Sequence, residues 1–174
     1  MKIIYHCFGG AHSSVTAANI HLGRLPKDRV PRNEELIGQY LFDCHKITDT
    51  GKMIFMGRDI FGNDIYVVGR RSRPHLLYNV VSGLSDVFQI DKNSYMLTDV
   101  SPCVNLTMKL GGFMSRRLGL ITAGRPIVTW GTRRNYKRLL AEVEKVFSRL
   151  DQKLPPDKDI QKKFIFRSPE VEYY

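Results

Sequence analysis

The sequence predicts an α/β fold, a three-layer sandwich with a predominantly parallel sheet, one β-hairpin or ribbon, and a P-loop-like strand–loop–helix at the amino end. Three observations predict it. Short β-branched runs alternate with segments of helical period, and parallel strands need long crossovers that helices supply while covering both faces of the sheet. The run from Lys2 to Ala18 reads as strand, glycine loop and helix. With 174 residues, 43% of them apolar, the chain can bury one sizeable core, so residues 1–150 are expected to form a single domain.

The first strand spans Lys2 to Cys7, and a helix follows from Ser13 or Ser14 to about Leu22, where Gly23 is placed to end it. Pro26 and Pro31 bracket a loop. Asn33-Glu34-Glu35 then opens a second helix running through Cys44, because acids suit a first turn and Leu36, Ile37, Tyr40, Leu41 and Cys44 share one face. Lys52–Met56 and Asp64–Val68 are apolar runs joined through the turn signal Gly62-Asn63, which predicts a hairpin. Pro74 suits the first turn of a helix reaching Phe88. Tyr95–Val100 predicts another strand, Ser101-Pro102 a helix through Arg117, and Pro126–Trp130 a last strand. Within that helical segment, Gly111-Gly112 would let neighbouring backbones pack closely. Gly131-Thr132 leads into the longest helix, ending near Leu150, in which Leu139, Leu140, Val143, Val146, Phe147 and Leu150 repeat at the helical period. From Asp151 to Tyr174, Pro155-Pro156 and alternating charge predict a tail, with Phe164-Ile165-Phe166 as a short run able to dock as a strand.

The net charge is +10, and its location narrows the function classes. From Asp151 onward there are five residues of each sign, so the excess of 22 basic over 12 acidic residues lies in residues 1–150. A basic body suits an anionic small molecule, nucleic acid, an acidic partner or simple solubility. No stretch reaches the roughly 18 consecutive apolar residues of a membrane span, and the amino end lacks a signal-peptide layout, so the expectation is a cytoplasmic protein without a membrane partner. Cys7, Cys44 and Cys103 are odd in number and widely spaced, which indicates neither a disulfide framework nor a metal site. No motif names a cofactor.

In open α/β sheets, ligands bind beyond the carboxyl ends of the strands. Three loops expected there are Gly9-Gly10-Ala11-His12-Ser13-Ser14, Gly69-Arg70-Arg71-Ser72-Arg73-Pro74-His75 and Gly131-Thr132-Arg133-Arg134-Asn135. Cations beside a helix N-terminus oppose the helix dipole at roughly 0.3–1 kcal/mol each, and a bound anion reverses that sign. Gly9, Gly10, Ser13, Ser14, Arg70, Arg71, Arg73, Arg133 and Arg134 are therefore the candidate ligand-binding residues for a phosphorylated or anionic small molecule, nucleotides included.

Enzyme motifs are incomplete. A P-loop would need Gly-Lys-Ser where Ala11-His12-Ser13 stands, and its first glycine would be His6. A cysteine phosphatase places arginine six positions after a strand-end cysteine, and here that residue is Ser13. Two groups remain candidates for phosphoryl transfer or phosphate-ester hydrolysis. His12 is a loop imidazole, the side-chain type suited to acid-base work, and Cys7 is either a buried structural thiol or a nucleophile beside a helix N-terminus. Asp99 is read either as a partner that orients His12 or holds a cation, or as a structural hydrogen-bonding residue. His21, His45 and His75 have no spacing that selects a metal. Nucleic-acid binding is the alternative from another class, carried by Trp130 to Tyr136 with Arg133 and Arg134 between them, and steep salt dependence of oligonucleotide binding would be its signature.

The segments KIIYHCFGGAHSSVTAA (Lys2–Ala18), YVVGRRSRP (Tyr66–Pro74) and PIVTWGTRRNY (Pro126–Tyr136) are similar to an uncharacterised family of Firmicutes, domain of unknown function 3189. The resemblance covers most of residues 1–150 and implies a bacterial cytoplasmic protein. It implies no activity, substrate or catalytic residue.

Overall fold

The computed structural model describes residues 1–44 and 49–152; the predicted tail, from residue 153 on, lies outside the described residues. Four strands form one sheet in the order β2-β3-β1-β4, where β1 is Lys2–Cys7, β2 Ile54–Arg58, β3 Asp64–Gly69 and β4 Tyr95–Asp99. β1 lies parallel to both neighbours, with Cys7 opposite Gly69 and His6 opposite Asp99, so the loops after β1, β3 and β4 leave one edge together. The hairpin forms as predicted: β2 runs antiparallel to β3, with an irregular register between Phe55 and Gly57. Asp59 closes its turn by accepting from the backbone N–H groups of Phe61 and Asn63 at 2.9 and 2.8 Å.

Successive side chains of β1 point to opposite faces. The Tyr5 hydroxyl donates to His21 Nδ1 at 2.7 Å in α1 (Ser13–His21), and His21 Nε2 in turn pairs with Asp59 Oδ2 at 3.0 Å. From the opposite face His6 meets Tyr78 of α3 (Pro74–Val87), Nε2 to hydroxyl at 3.1 Å. Every residue of α1 is buried, because α6 (Tyr136–Asp151) packs over it with Leu139, Val143, Val146 and Leu150, four of the residues whose period predicts that helix.

Two segments depart from the sequence reading. The helix expected through Cys44 ends much earlier: α2 spans Asn33–Ile37. Gly38 follows it, and Leu41 and Asp43 adopt left-handed φ of 66° and 55°, which no continuing helix allows. The apolar period there does not mark a buried face, since Ile37 and Tyr40 are exposed. The larger correction concerns Pro126–Trp130, which lies inside α5 (Ile121–Arg134) instead of forming a strand. Its β-branched residues suit a strand in isolation, but the threonines are satisfied within the helix: Thr129 Oγ1 donates to the Arg125 carbonyl at 2.7 Å and Thr132 Oγ1 to that of Val128 at 2.8 Å. Contact with α4 (Leu106–Arg116) decides the outcome. A Cβ on Gly111 would stand 2.4 Å from Val128 N, and one on Gly124 2.4 Å from Ser115 N, so the two backbones touch along a seam that only glycine permits. The helix expected to start at Ser101 also divides, into a 3-10 turn at Ser101–Cys103 and then α4, whose N-cap Asn105 accepts from Met108 N at 2.8 Å.

Candidate functional site

A cleft of about 550 Å³ opens at the carboxyl ends of β1 and β3. Its floor is the β1–α1 loop. Cys7 Sγ, at the strand end, accepts from Gly10 N–H at 3.1 Å and lies 3.3 Å from Ser14 Oγ. α1 starts directly after this loop with no side-chain cap from His12 and no acid in its first turn, so its leading amides are of the kind a helix leaves without internal partners. The loop after β3 lies against it so closely that a Cβ on Gly69 would meet Gly9 O at 2.7 Å. The Arg70 and Arg71 amides extend this contact, donating to the Cys7 and Phe8 carbonyls at 3.0 and 2.9 Å. Arg71 holds a left-handed φ of 54°, and its guanidinium lies 5.5 Å from the Phe8 ring centre.

α4 forms the opposite wall with Met108, Lys109, Gly112, Phe113 and Arg116, followed by Arg117. Arg70, Arg71, Lys109, Arg116 and Arg117 thus bring five cations to the cleft, and no carboxylate of the described residues lines it. Two acids stand behind instead. Asp99 accepts from Arg70 Nη2 at 2.9 Å and from Ser101 N–H at 2.9 Å. It therefore neutralises Arg70 and lies beside His6, 3.6 Å from Nδ1. It is not the partner of His12.

That partner is Asp43, which the sequence reading missed. Its fully buried carboxylate accepts from His12 Nε2 at 2.9 Å, from Ser115 Oγ at 2.7 and 2.9 Å and from Arg125 Nε at 3.1 Å, and pairs with Arg116 at 3.0 Å. Burial alone would raise its pKa, but the bonds from His12, Ser115 and Arg125 prevail and hold it down to about 2. One carboxylate thus ties the β1–α1 loop, α4 and α5 together and fixes the orientation of the His12 ring. The far side of that ring faces Gly112, where a Cβ would come within 3.3 Å of Nδ1.

Of the sequence-predicted site residues, the structure brings Cys7, Gly9, His12, Ser13, Arg70 and Arg71 to one cleft, with Gly10 and Ser14 bonded beneath it to Cys7. The remaining arginines do not join them. Arg73 is the N-cap residue of α3 and does not line the cleft. Arg133 and Arg134 lie in the last turn of α5 instead of following a strand: Arg133 donates to Pro31 O and Asn33 Oδ1 at 2.9 and 3.2 Å, while Arg134 lies 5.5 Å from the centre of the exposed Trp130 ring. His45 lies outside the described residues. Lys109, Arg116 and Arg117 take the place of the missing arginines. The Arg116-Arg117 pair is visible in the sequence, but only the α4–α5 packing turns it toward the strand ends.

His6 is fully buried, and it accepts from Arg70 Nε at 3.0 Å, which makes Nε2 the donor to Tyr78. Burial lowers its pKa to about 4, against the opposing pull of Asp99. Between pH 6.5 and 4 the unfolded chain takes up a proton that the folded one refuses, so this stabilisation is complete above pH 6.5 and is lost as pH falls through about 4. His6→Gln should reduce the slope of unfolding free energy between pH 6.5 and 4.5 by up to about 1.4 kcal/mol per pH unit, read from urea midpoints. An unchanged slope would refute the assignment.

These features define a mixed α/β protein with a cationic cleft at the carboxyl ends of parallel strands. The chain matches the protein family of unknown function DUF3189 over residues 2–147, and it belongs to that family. No curated protein and no solved structure matches it. Among the described residues no helix is long and apolar enough to cross a membrane, and no group of three His, Cys, Asp or Glu side chains is placed to hold a metal ion.

Proposed function

We propose that the cleft binds a phosphorylated or otherwise anionic small molecule. The observation that carries this reading is the asymmetry of charge: five cations and no carboxylate of the described residues line the cleft beside a helix N-terminus that no side chain caps, and the two acids behind it pair with only Arg70 and Arg116 of the five. Unpaired amides and a helix dipole favour an anion at that point, and the cations of the walls add to the attraction. In this reading the strand–loop–helix works in a P-loop-like way within a three-layer fold. Gly9, Gly10, Ser13 and the α1 amides hold the anion, while Arg71, Lys109, Arg116 and Arg117 take the role that a P-loop gives to its lysine.

Phosphate or pyrophosphate, compared with chloride at equal ionic strength, should raise the melting temperature. Near hundredfold saturation the gain is about 2.7 kcal/mol, roughly 5–10 °C for a chain of this size. Arg117→Ala should remove most of the shift while leaving the unliganded melting temperature nearly unchanged, since Arg117 is exposed. No anion-specific shift in the wild type would sink the proposal.

The hydrogen bonds to Cys7 Sγ support a second reading, phosphoryl transfer. Attack by the thiolate would form an S–P bond as the P–O ester bond breaks, with protonated His12, held by Asp43, giving the departing alkoxide its proton; water would then attack phosphorus, lose a proton to His12 and break the S–P bond, releasing phosphate and restoring the thiolate. Ligand sensing needs none of this. Turnover of an aryl phosphate that is lost in Cys7→Ser, with phosphate binding retained, would separate the two.

A further inference from the structure

Inorganic phosphate would fill only a small part of a 550 Å³ cleft, and the remaining space has a definite character. Phe8 lines one wall and Phe113 the other, and these large apolar rings remain 49% and 46% exposed. Each stands beside a guanidinium: Arg71 is 5.5 Å from the Phe8 ring centre and Arg117 6.0 Å from that of Phe113. Val104 and Met108 add apolar surface to the lining. An exposed aromatic ring loses nothing by being covered, and a flat π-system can lie against both ring and guanidinium faces. A wholly hydrophilic ligand such as a sugar phosphate would leave those rings against polar groups.

Resting on the reading of the cleft as an anion site, we infer that its ligand is an aromatic phosphate monoester, with the phosphate at the Gly9–Ser13 loop and a flat aromatic body between Phe8 and Phe113. The aromatic body is either attached directly to the phosphate oxygen or, as in a nucleoside monophosphate, held through a sugar. Both share the chemistry the walls select. The directly attached form places the ring nearer the floor, and the nucleotide places it nearer the rim.

The test is a calorimetric titration of the full chain with five probes: inorganic phosphate, glycerol phosphate, hexyl phosphate, phenyl phosphate and adenosine 5′-monophosphate. Phenyl phosphate or the nucleotide should bind at least about tenfold more tightly than glycerol phosphate and more tightly than hexyl phosphate, and which of the two is tighter identifies the form. Phe8→Ala and Phe113→Ala should each weaken the preferred aromatic probe about fivefold and leave inorganic phosphate unchanged, and Phe113→Leu, which keeps apolar area but not the ring, should behave like the alanine variant. Hexyl phosphate matching the aromatic probes, equal affinity for all five, or alanine variants that bind the aromatic probe normally would each overturn this inference while leaving the anion site standing. Failure of every probe, inorganic phosphate included, would overturn both.

Discussion

Asp43→Ala is expected to cost about 3–5 kcal/mol of unfolding free energy, because it leaves the buried Ser115 hydroxyl and the part-buried His12, Arg116 and Arg125 facing an emptied carboxylate site. For a chain of this length that lowers the melting temperature by roughly 6–20 °C. The side chain is fully buried and its partners His12, Ser115, Arg116 and Arg125 cannot all find substitutes. The acid dependence provides a second measurement. A carboxyl held at about 2 when folded, against 3.8 when free, contributes stability that is complete above pH 3.8 and is lost as pH falls through about 2. Asp43→Asn should keep the shape of the site and lose that acid limb. A urea midpoint for Asp43→Ala within about 1 kcal/mol of wild type would show that the cluster is not a structural hub.

The second large effect is a reversal of sign between two identical substitutions. Gly124→Ala should destabilise by about 3 kcal/mol or more, at or beyond the upper range of core overpacking, because its Cβ would stand 2.4 Å from a backbone nitrogen of α4 that no rotamer change can move. Gly83→Ala, in α3, meets nothing within 4 Å and should stabilise by about 0.5–1 kcal/mol through helix propensity alone. Urea denaturation of both variants checks the pair. Tolerance of Gly124→Ala would mean that α4 and α5 separate more easily than their packing indicates.

Much of the fold was legible because local pattern and tertiary environment agree. β1, β3 and α6 carry apolar repeats that match the faces they bury, and the glycine loop after Cys7 sits at a strand end as its composition requires. Reading failed where a distant partner decides the conformation. Ile127-Val128-Thr129 has the composition of a strand, and only the glycines and serine of α4 and α5, brought together across the chain, make a close helix pair the better solution. The site divides in the same way. Its floor was readable from the contiguous run Cys7–Ser14, whereas Asp43 lies in a short stretch of helical period and meets His12 across 31 residues, Ser115 across 72 and Arg125 across 82. No local spacing encodes such a meeting. Of the arginines at the expected strand ends, Arg70 and Arg71 line the cleft, and α4 with its C-terminal end supplies Lys109, Arg116 and Arg117 beside them.

The position of β1 has a kinetic consequence. The first strand of the chain is interior to the sheet, paired with residues 64–69 on one side and 95–99 on the other, so its hydrogen bonds wait for two long loops to close. The β1–α1 loop can curl locally as soon as it is made, but the arginines and the α4 wall reach it only after the chain has passed Arg117. A ribosome-bound nascent chain therefore carries no half-built cleft, and the cationic walls come together only when the sheet closes.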